Sequence, residues 1–128
     1  MRIVEPKSTY KAQSNYAQGI VHAANAERMV VAGQLGLRPD GSLEDGLEKQ
    51  MERAWTNVLG VMADAGFEAR HLIKAVIYCT VPRQVALYRE VRDRVLGGHL
   101  CACTYLEIAG LAAPEHLVEI EAEAIKDT

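Results

Sequence analysis

Two periods of side-chain polarity run along the chain, and each predicts a different element. From His99 to Ile125 the period is two. Cys101, Cys103, Tyr105 and Glu107 fall on one side of an extended chain, and Ala102, Thr104, Leu106 and Ile108 on the other. After a turn around Pro114, Val118, Ile120, Ala122 and Ala124 alternate with Glu119, Glu121 and Glu123. Successive side chains of a strand leave opposite faces, so alternation of this kind predicts half-buried strands. The tail therefore reads as two strands joined by a loop. Between Ser42 and Gly66 the period is helical instead. Leu47, Met51, Ala54, Trp55, Val58, Met62 and Ala65 form a stripe, with Glu48, Glu52, Arg53 and Asn57 off it. Ser42 reads as the N-cap and Gly66 as the glycine just past the end. A tryptophan and methionines on such a stripe are core packing.

The same reading extends to the rest of the chain. Arg2 to Val4 forms a short edge strand, and the polar run from Ser8 to Tyr16 a loop or lid. Gly19–Ala24 and Arg28–Leu37 are strands with a turn near Asn25 between them. Gly33 and Gly36 inside the second mark a bulge or a close backbone approach. The segment Arg38-Pro39-Asp40-Gly41-Ser42 is turn chemistry. Leu72–Val81 is β-branched and alternating, and Pro82 ends it. A second helix runs to Leu96 with Val85, Tyr88, Val91, Val95 and Leu96 as its stripe. Arg89, Arg92 and Arg94 are placed outside that stripe, and Gly97-Gly98 closes the helix.

The order β-β-β-α-β-α-β-β predicts an α+β fold over residues 1–128 as a single domain. It would have one mixed, mostly antiparallel sheet with two helices on one face. The other face is then bare, and it still carries apolar residues among its glutamates. A second copy of the chain is the simplest cover for such a surface, which predicts a homo-oligomer.

Composition narrows the partners. Apolar residues make up 49% and charged residues 24% of the 128, ordinary values for a globular domain. A net charge of −3 argues against nucleic acid, which needs a basic face. The first ten residues lack the apolar core of a signal peptide, and no apolar run approaches a membrane span. Three cysteines without such a signal suggest reduced thiols and a cytoplasmic setting.

Five segments resemble the RidA (YjgF-type) family of reactive-intermediate deaminases. They are SNYAQGI (14–20), MVVAGQLGLRPDGSL (29–43), QMERAWTNVLGVMADAGF (50–67), LIKAVIYCT (72–80) and VEIEAEAI (118–125). Each is weak alone, but together they keep the family's order and spacing over nearly the whole chain. The resemblance implies a chorismate-mutase-like fold, a homotrimer and ligand clefts between subunits. It also implies hydrolysis of imines or enamines such as 2-aminoacrylate to a keto acid and ammonia, with no cofactor or metal.

Carried over by position, the resemblance assigns Tyr16 as the pocket tyrosine, Gly33 as the pocket glycine and Glu119 as the carboxylate that positions water. At one position the chain departs. The family's Pro-Ala-Arg-Ser motif falls on Cys101-Ala102-Cys103-Thr104, so Cys103 replaces the arginine that grips the substrate carboxylate. A thiol cannot make that bidentate contact. Arg89 stands where the family's helix has an asparagine.

Three accounts of the altered pocket follow. Arg89 takes over the anion, or it is a solvated helix residue. Cys103 is a nucleophile activated by His99 or Arg89, or it is a small buried residue. Or His99, Cys101 and Cys103 hold a metal; on one strand face they are ~6–7 Å apart, too far for zinc, so none is expected. The candidate catalytic residues are thus Glu119, Cys103 and Tyr16, with Gly33, Arg89 and Tyr105 contacting substrate. The rival to an enzyme is a small-ligand-binding or interaction protein that kept the fold.

Overall fold

The computed structural model describes residues 1–127. Its strands are β1 (Arg2–Ile3), β2 (Ile20–Val21), β3 (Glu27–Leu35), β4 (Leu72–Cys79), β5 (Ala102–Glu107) and β6 (Val118–Lys126). The helices are α1 (Leu47–Asp64) and α2 (Val85–Leu96), with a 3-10 turn at Ala69–His71. The predicted order holds. The larger sheet runs β3-β6-β4-β5, antiparallel except for the parallel pair β4–β5, while β1 and β2 form a separate antiparallel pair. The expected hairpin partner of β3 is therefore not β2 but β6.

Two neighbours in sequence are also separated. The tail strands β5 and β6 do not pair, because β4 lies between them. Alternation reveals which face a residue occupies but not which strand sits alongside. Each strand pairs with β4 instead: Ala75 lies opposite Cys103 and Ala122, and Ile77 opposite Tyr105 and Ile120.

One face of the sheet is sealed by the helices. Met51, Trp55, Val58 and Met62 of α1 are fully buried against Val31, Ile77, Val118 and Ile120. Ala65, at the end of the predicted stripe, is exposed beyond the last turn. The helix begins later than expected: Gly46, at φ 86°, is its N-cap, and Ser42 instead bonds to Asp40 within the preceding turn. Gly97 ends α2 in the left-handed conformation.

Three polar residues of α1 fasten neighbouring loops, Asn57 and Arg53 the segment that leads into the helix and Gln50 the one that leads into β6. Asn57 donates to the carbonyls of Leu35 and Leu37 at 3.0 and 2.8 Å. Gln50, 3% exposed, accepts from Leu117 N–H at 3.0 Å and donates to the Glu115 carbonyl. Arg53 pairs with Glu44, which also holds Arg38. The glutamine, arginine and asparagine of the helix motif are thus scaffold residues.

The glycines of the β3 segment do what their positions predicted. Four residues of β3, Val31 to Gln34, run opposite three of β6, Ala122 to Ile120, so a bulge falls at Ala32-Gly33. Gly36 lies under α1, where an added Cβ would be 2.6 Å from the Gln50 Cα.

The second face of the sheet is open. Val30 and Leu106 are 64% and 42% exposed there. Among them Tyr78 donates to Glu121, and Arg28 pairs with Glu123. Among the described residues, no helix is long and apolar enough to cross a membrane.

Candidate functional site

The main cleft lies along β5, the edge strand of the sheet, between the N-terminal loop and α2. Its volume is about 700 Å³. The polar run preceding β2 does not form a regular element; it is pinned across this edge instead. Ala17 N–H donates to the Cys101 carbonyl at 3.0 Å, Asn15 donates to Asp93 at 3.0 Å, and Gln18 folds the loop back onto the Tyr10 carbonyl. Loop, strand and helix thus make three walls.

Four of the six candidate residues line this cleft: Tyr16, Arg89, Cys103 and Tyr105. The other two do not. Glu119 extends from the opposite side of β6, whose core-facing neighbours are Val118 and Ile120. There it packs on the β3 bulge, close enough that a Cβ on Gly33 would lie 2.4 Å from its Oε1. Within one chain, Gly33 and Glu119 form a second cluster two strands away from β5.

The floor of the cleft is built around a residue that the helical stripe left out. Arg92 is only 2% exposed. It lies one turn after Tyr88 on α2, and its guanidinium carbon is 5.3 Å from the centre of the Tyr88 ring. Its Nε donates to Asp93 at 2.9 Å and its Nη1 to Ser14 of the loop at 3.4 Å. Its Nη2 is buried without a partner. Spacing contained a signal for this placement. Residue 92 is four after Tyr88 and three before Val95, both on the stripe, so the three share a helix face.

Tyr88 is 2% exposed and stacks on Tyr105, with ring centres 4.9 Å apart and 28° between planes. Neither hydroxyl has a well-aligned hydrogen-bond partner. Burial pushes both phenols up, with Cys103 adding to the effect on Tyr88 and Cys79 to that on Tyr105. Both therefore remain protonated donors at neutral pH.

Cys103 faces these groups. Its sulfur is 3.3 Å from that of Cys101, which is 1% exposed. The thiol of Cys103 is drawn down to about 7, chiefly by the Cys101 thiol donating to it. Burial opposes the change, and the Tyr88 hydroxyl and the Arg92 charge reinforce it. The Cys101 thiol is pushed up by the same hydrogen bond and by burial.

His99, expected as a neighbour of Cys103, is engaged elsewhere. Its Nε2 donates to the Leu72 carbonyl at 2.7 Å, and it does not line the cleft. Among the described residues, no three His, Cys, Asp or Glu side chains are placed to hold a metal ion. The geometry offers a buried cation with a free N–H, two phenol donors and an ionisable thiol on one wall. Groups of these kinds can pair with an anion and exchange protons.

Comparison with known proteins places this architecture. Residues 6–126 match the family model described as Endoribonuclease L-PSP. A RutC family protein of Aquifex aeolicus is 30% identical over 66 residues, which are 51% of this chain and 50% of that protein. The match thus spans about half the length of the curated relative. A structure from Yersinia pestis, of the conserved Rid protein family, superimposes with a TM-score of 0.85 at 24% identity, covering 97% of both chains. A Mycobacterium tuberculosis member of the YjgF/YER057c/UK114 family gives 0.68 at 26% identity over 77% of this chain and 78% of that one. Escherichia coli TdcF with bound serine gives 0.74 at 22% identity, covering 99% and 100%.

Proposed function

The chain belongs to the endoribonuclease L-PSP family, and from that premise we propose that it binds a small anionic metabolite in the cleft along β5. There it hydrolyses an imine, enamine or related labile C–N bond. The observation that carries this reading is the Arg92 guanidinium. It is buried at the cleft floor with one nitrogen unpartnered, and a guanidinium stays charged at any physiological pH. A buried charge with an unused donor is costly unless an anion or water satisfies it. Cys103 occupies the position at which the family's arginine is expected, and Arg92 supplies from α2 the cation that β5 lacks. Arg89, three residues earlier, adds a second positive charge to the same wall.

Substrate carboxylate on Arg92 turns the imine carbon toward Cys103 and Tyr16. Water adds to that carbon and the nitrogen leaves as ammonia, giving a carbonyl product. With its thiol near 7, Cys103 can take a proton from water as the thiolate and return it as the thiol to the departing nitrogen. The serine bound by the Escherichia coli homologue is a small carboxylate of the proposed ligand class.

A second reading rests on the same thiol. An ionised Cys103 can attack the substrate carbon directly and form a covalent intermediate. Cys103→Ser loses turnover under either reading, so the discriminating measurement is mass spectrometry of native protein quenched during turnover. A substrate adduct on Cys103 marks the nucleophile and an unmodified Cys103 the proton relay.

Gly33 and Glu119 take part only if another copy presents them, since they face away from the cleft of their own chain. We therefore place them in a homotrimer, each chain a single domain, packed through the open sheet face around Val30 and Leu106. Val30→Asp tests the assembly. Light scattering should give three chains for the native protein and fewer for the variant, with helical circular dichroism retained. A native protein that runs as one chain would remove the inter-subunit site.

For the chemistry, a 2-imino acid is generated in situ by an amino-acid oxidase and keto-acid release is followed. Native protein should accelerate release, and Arg92→Met should raise KM for the imino acid. Ligand-dependent thermal stabilisation without turnover would favour the non-catalytic binding protein. An Arg92→Met variant with unchanged KM would overturn the anion site.

A further inference from the structure

We propose that Cys103 and Cys101 form a dithiol that hydroperoxides oxidise, Cys103 as the attacking sulfur and Cys101 as the resolving one. The inference shares Cys103 with the C–N chemistry but rests on its pairing with Cys101, which that chemistry does not require. The two sulfurs are 3.3 Å apart, yet their environments differ. Cys103 lines the open cleft, whereas Cys101 is 1% exposed behind it. One sulfur is thus reachable by a small oxidant and the other only by its neighbour.

The backbone permits a bond between them. Two residues of extended chain span about 6.6 Å, inside the ~6.8 Å upper limit for the Cα separation of a disulfide. Cys101 also precedes the first residue of β5 and lies outside that strand's ladder, its carbonyl accepting from Ala17 N–H of the loop instead. Arg92 and the Tyr88 hydroxyl favour the thiolate of Cys103, the form that reacts with peroxide. The third cysteine stands apart. Cys79 lies opposite Glu107, four residues along β5 from Cys103, and donates to the Val81 carbonyl.

The chemistry balances in two steps. The Cys103 thiolate attacks the distal peroxide oxygen and the O–O bond breaks. An alcohol or water leaves after taking a proton, and Cys103 becomes a sulfenic acid. The Cys101 thiol then attacks that sulfur, water departs and the disulfide forms. Two thiols are oxidised and one hydroperoxide is reduced.

Tryptic cleavage separates the outcomes, since residues 95–126 carry both cysteines and residues 75–83 carry Cys79. Reduced protein treated with one equivalent of hydrogen peroxide at neutral pH should lose two hydrogens from peptide 95–126 and none from 75–83. The rate should exceed that of free cysteine by about tenfold, from the larger thiolate fraction. Cys101→Ala should stop at a sulfenic acid on Cys103 that dimedone traps. Cys103→Ser should leave the peptide unoxidised. Two outcomes overturn the proposal: Cys103→Ser oxidised as fast as the native chain, or native peptide 95–126 reacting no faster than free cysteine. Cys101→Ser repeats the trapping should the alanine variant fail to fold.

Discussion

The guanidinium of Arg92 lies over the ring of Tyr88, 5.3 Å from its centre, one helical turn apart on a face that is otherwise core. A charge is stable there because the aromatic face, Asp93 and Ser14 each take part of its field. The same charge acts on Cys103.

Arg92→Met, which keeps an unbranched apolar stem and removes the charge, should raise the Cys103 thiol above 7. The measurement is the pH dependence of iodoacetamide alkylation, followed on the peptide spanning residues 95–126. A shift of one unit slows alkylation at neutral pH by up to about tenfold. An unmoved profile would mean that Cys101 and Tyr88 set the ionisation without Arg92.

Gly33→Ala and Gly36→Ala should diverge. The new Cβ at 33 meets the end of the Glu119 side chain, 2.4 Å away, which can swing aside. At 36 it meets the Gln50 Cα at 2.6 Å and its carbonyl oxygen at 2.8 Å, and a helix backbone cannot yield. Urea unfolding should show a small change for Gly33→Ala. For Gly36→Ala the loss should be about 1–3 kcal/mol or more. If Glu119 serves catalysis, Gly33→Ala should lower kcat while stability stays near native.

Asn57→Ala removes the donor shared by the Leu35 and Leu37 carbonyls and leaves both acceptors half-buried. The cost should be about 1–3 kcal/mol, read from the urea midpoint at unchanged slope. Asn57→Asp should be worse, since a carboxylate cannot donate and would face two carbonyl oxygens.

His71 gives stability a pH dependence of known sign. It is 7% exposed, and its Nδ1 accepts from the Glu68 N–H at 2.8 Å, a contact that requires the neutral ring. Burial, then the Arg70 charge, lowers its pKa from 6.5. A depressed pKa means that the unfolded chain binds the proton first. The stabilisation is therefore complete above 6.5 and is lost as pH falls from there through the folded value, below which the loss levels off. His71→Asn should flatten that part of the profile in urea titrations across mildly acidic pH.

The sequence by itself determined the order of elements, the two-faced alternation of β4, β5 and β6, and a bulge or close backbone approach at Gly33 and Gly36. These follow from local chemistry: a period of two or 3.6, a missing Cβ, a helix-ending glycine. The resemblance carried in five separated segments was likewise legible, because scaffold residues such as Gln50 and Asn57 are spaced by the helix on which they sit. Tertiary structure decided the rest. Placing β4 between the tail strands, and Gly33 with Glu119 on the far side of the sheet from Cys103, depends on pairings that no local period encodes. Arg92 is the sharpest case. Its charge argued for solvent, and only the packing of Tyr88, Ser14 and Asp93 around it makes a buried guanidinium tenable, and with it the cleft.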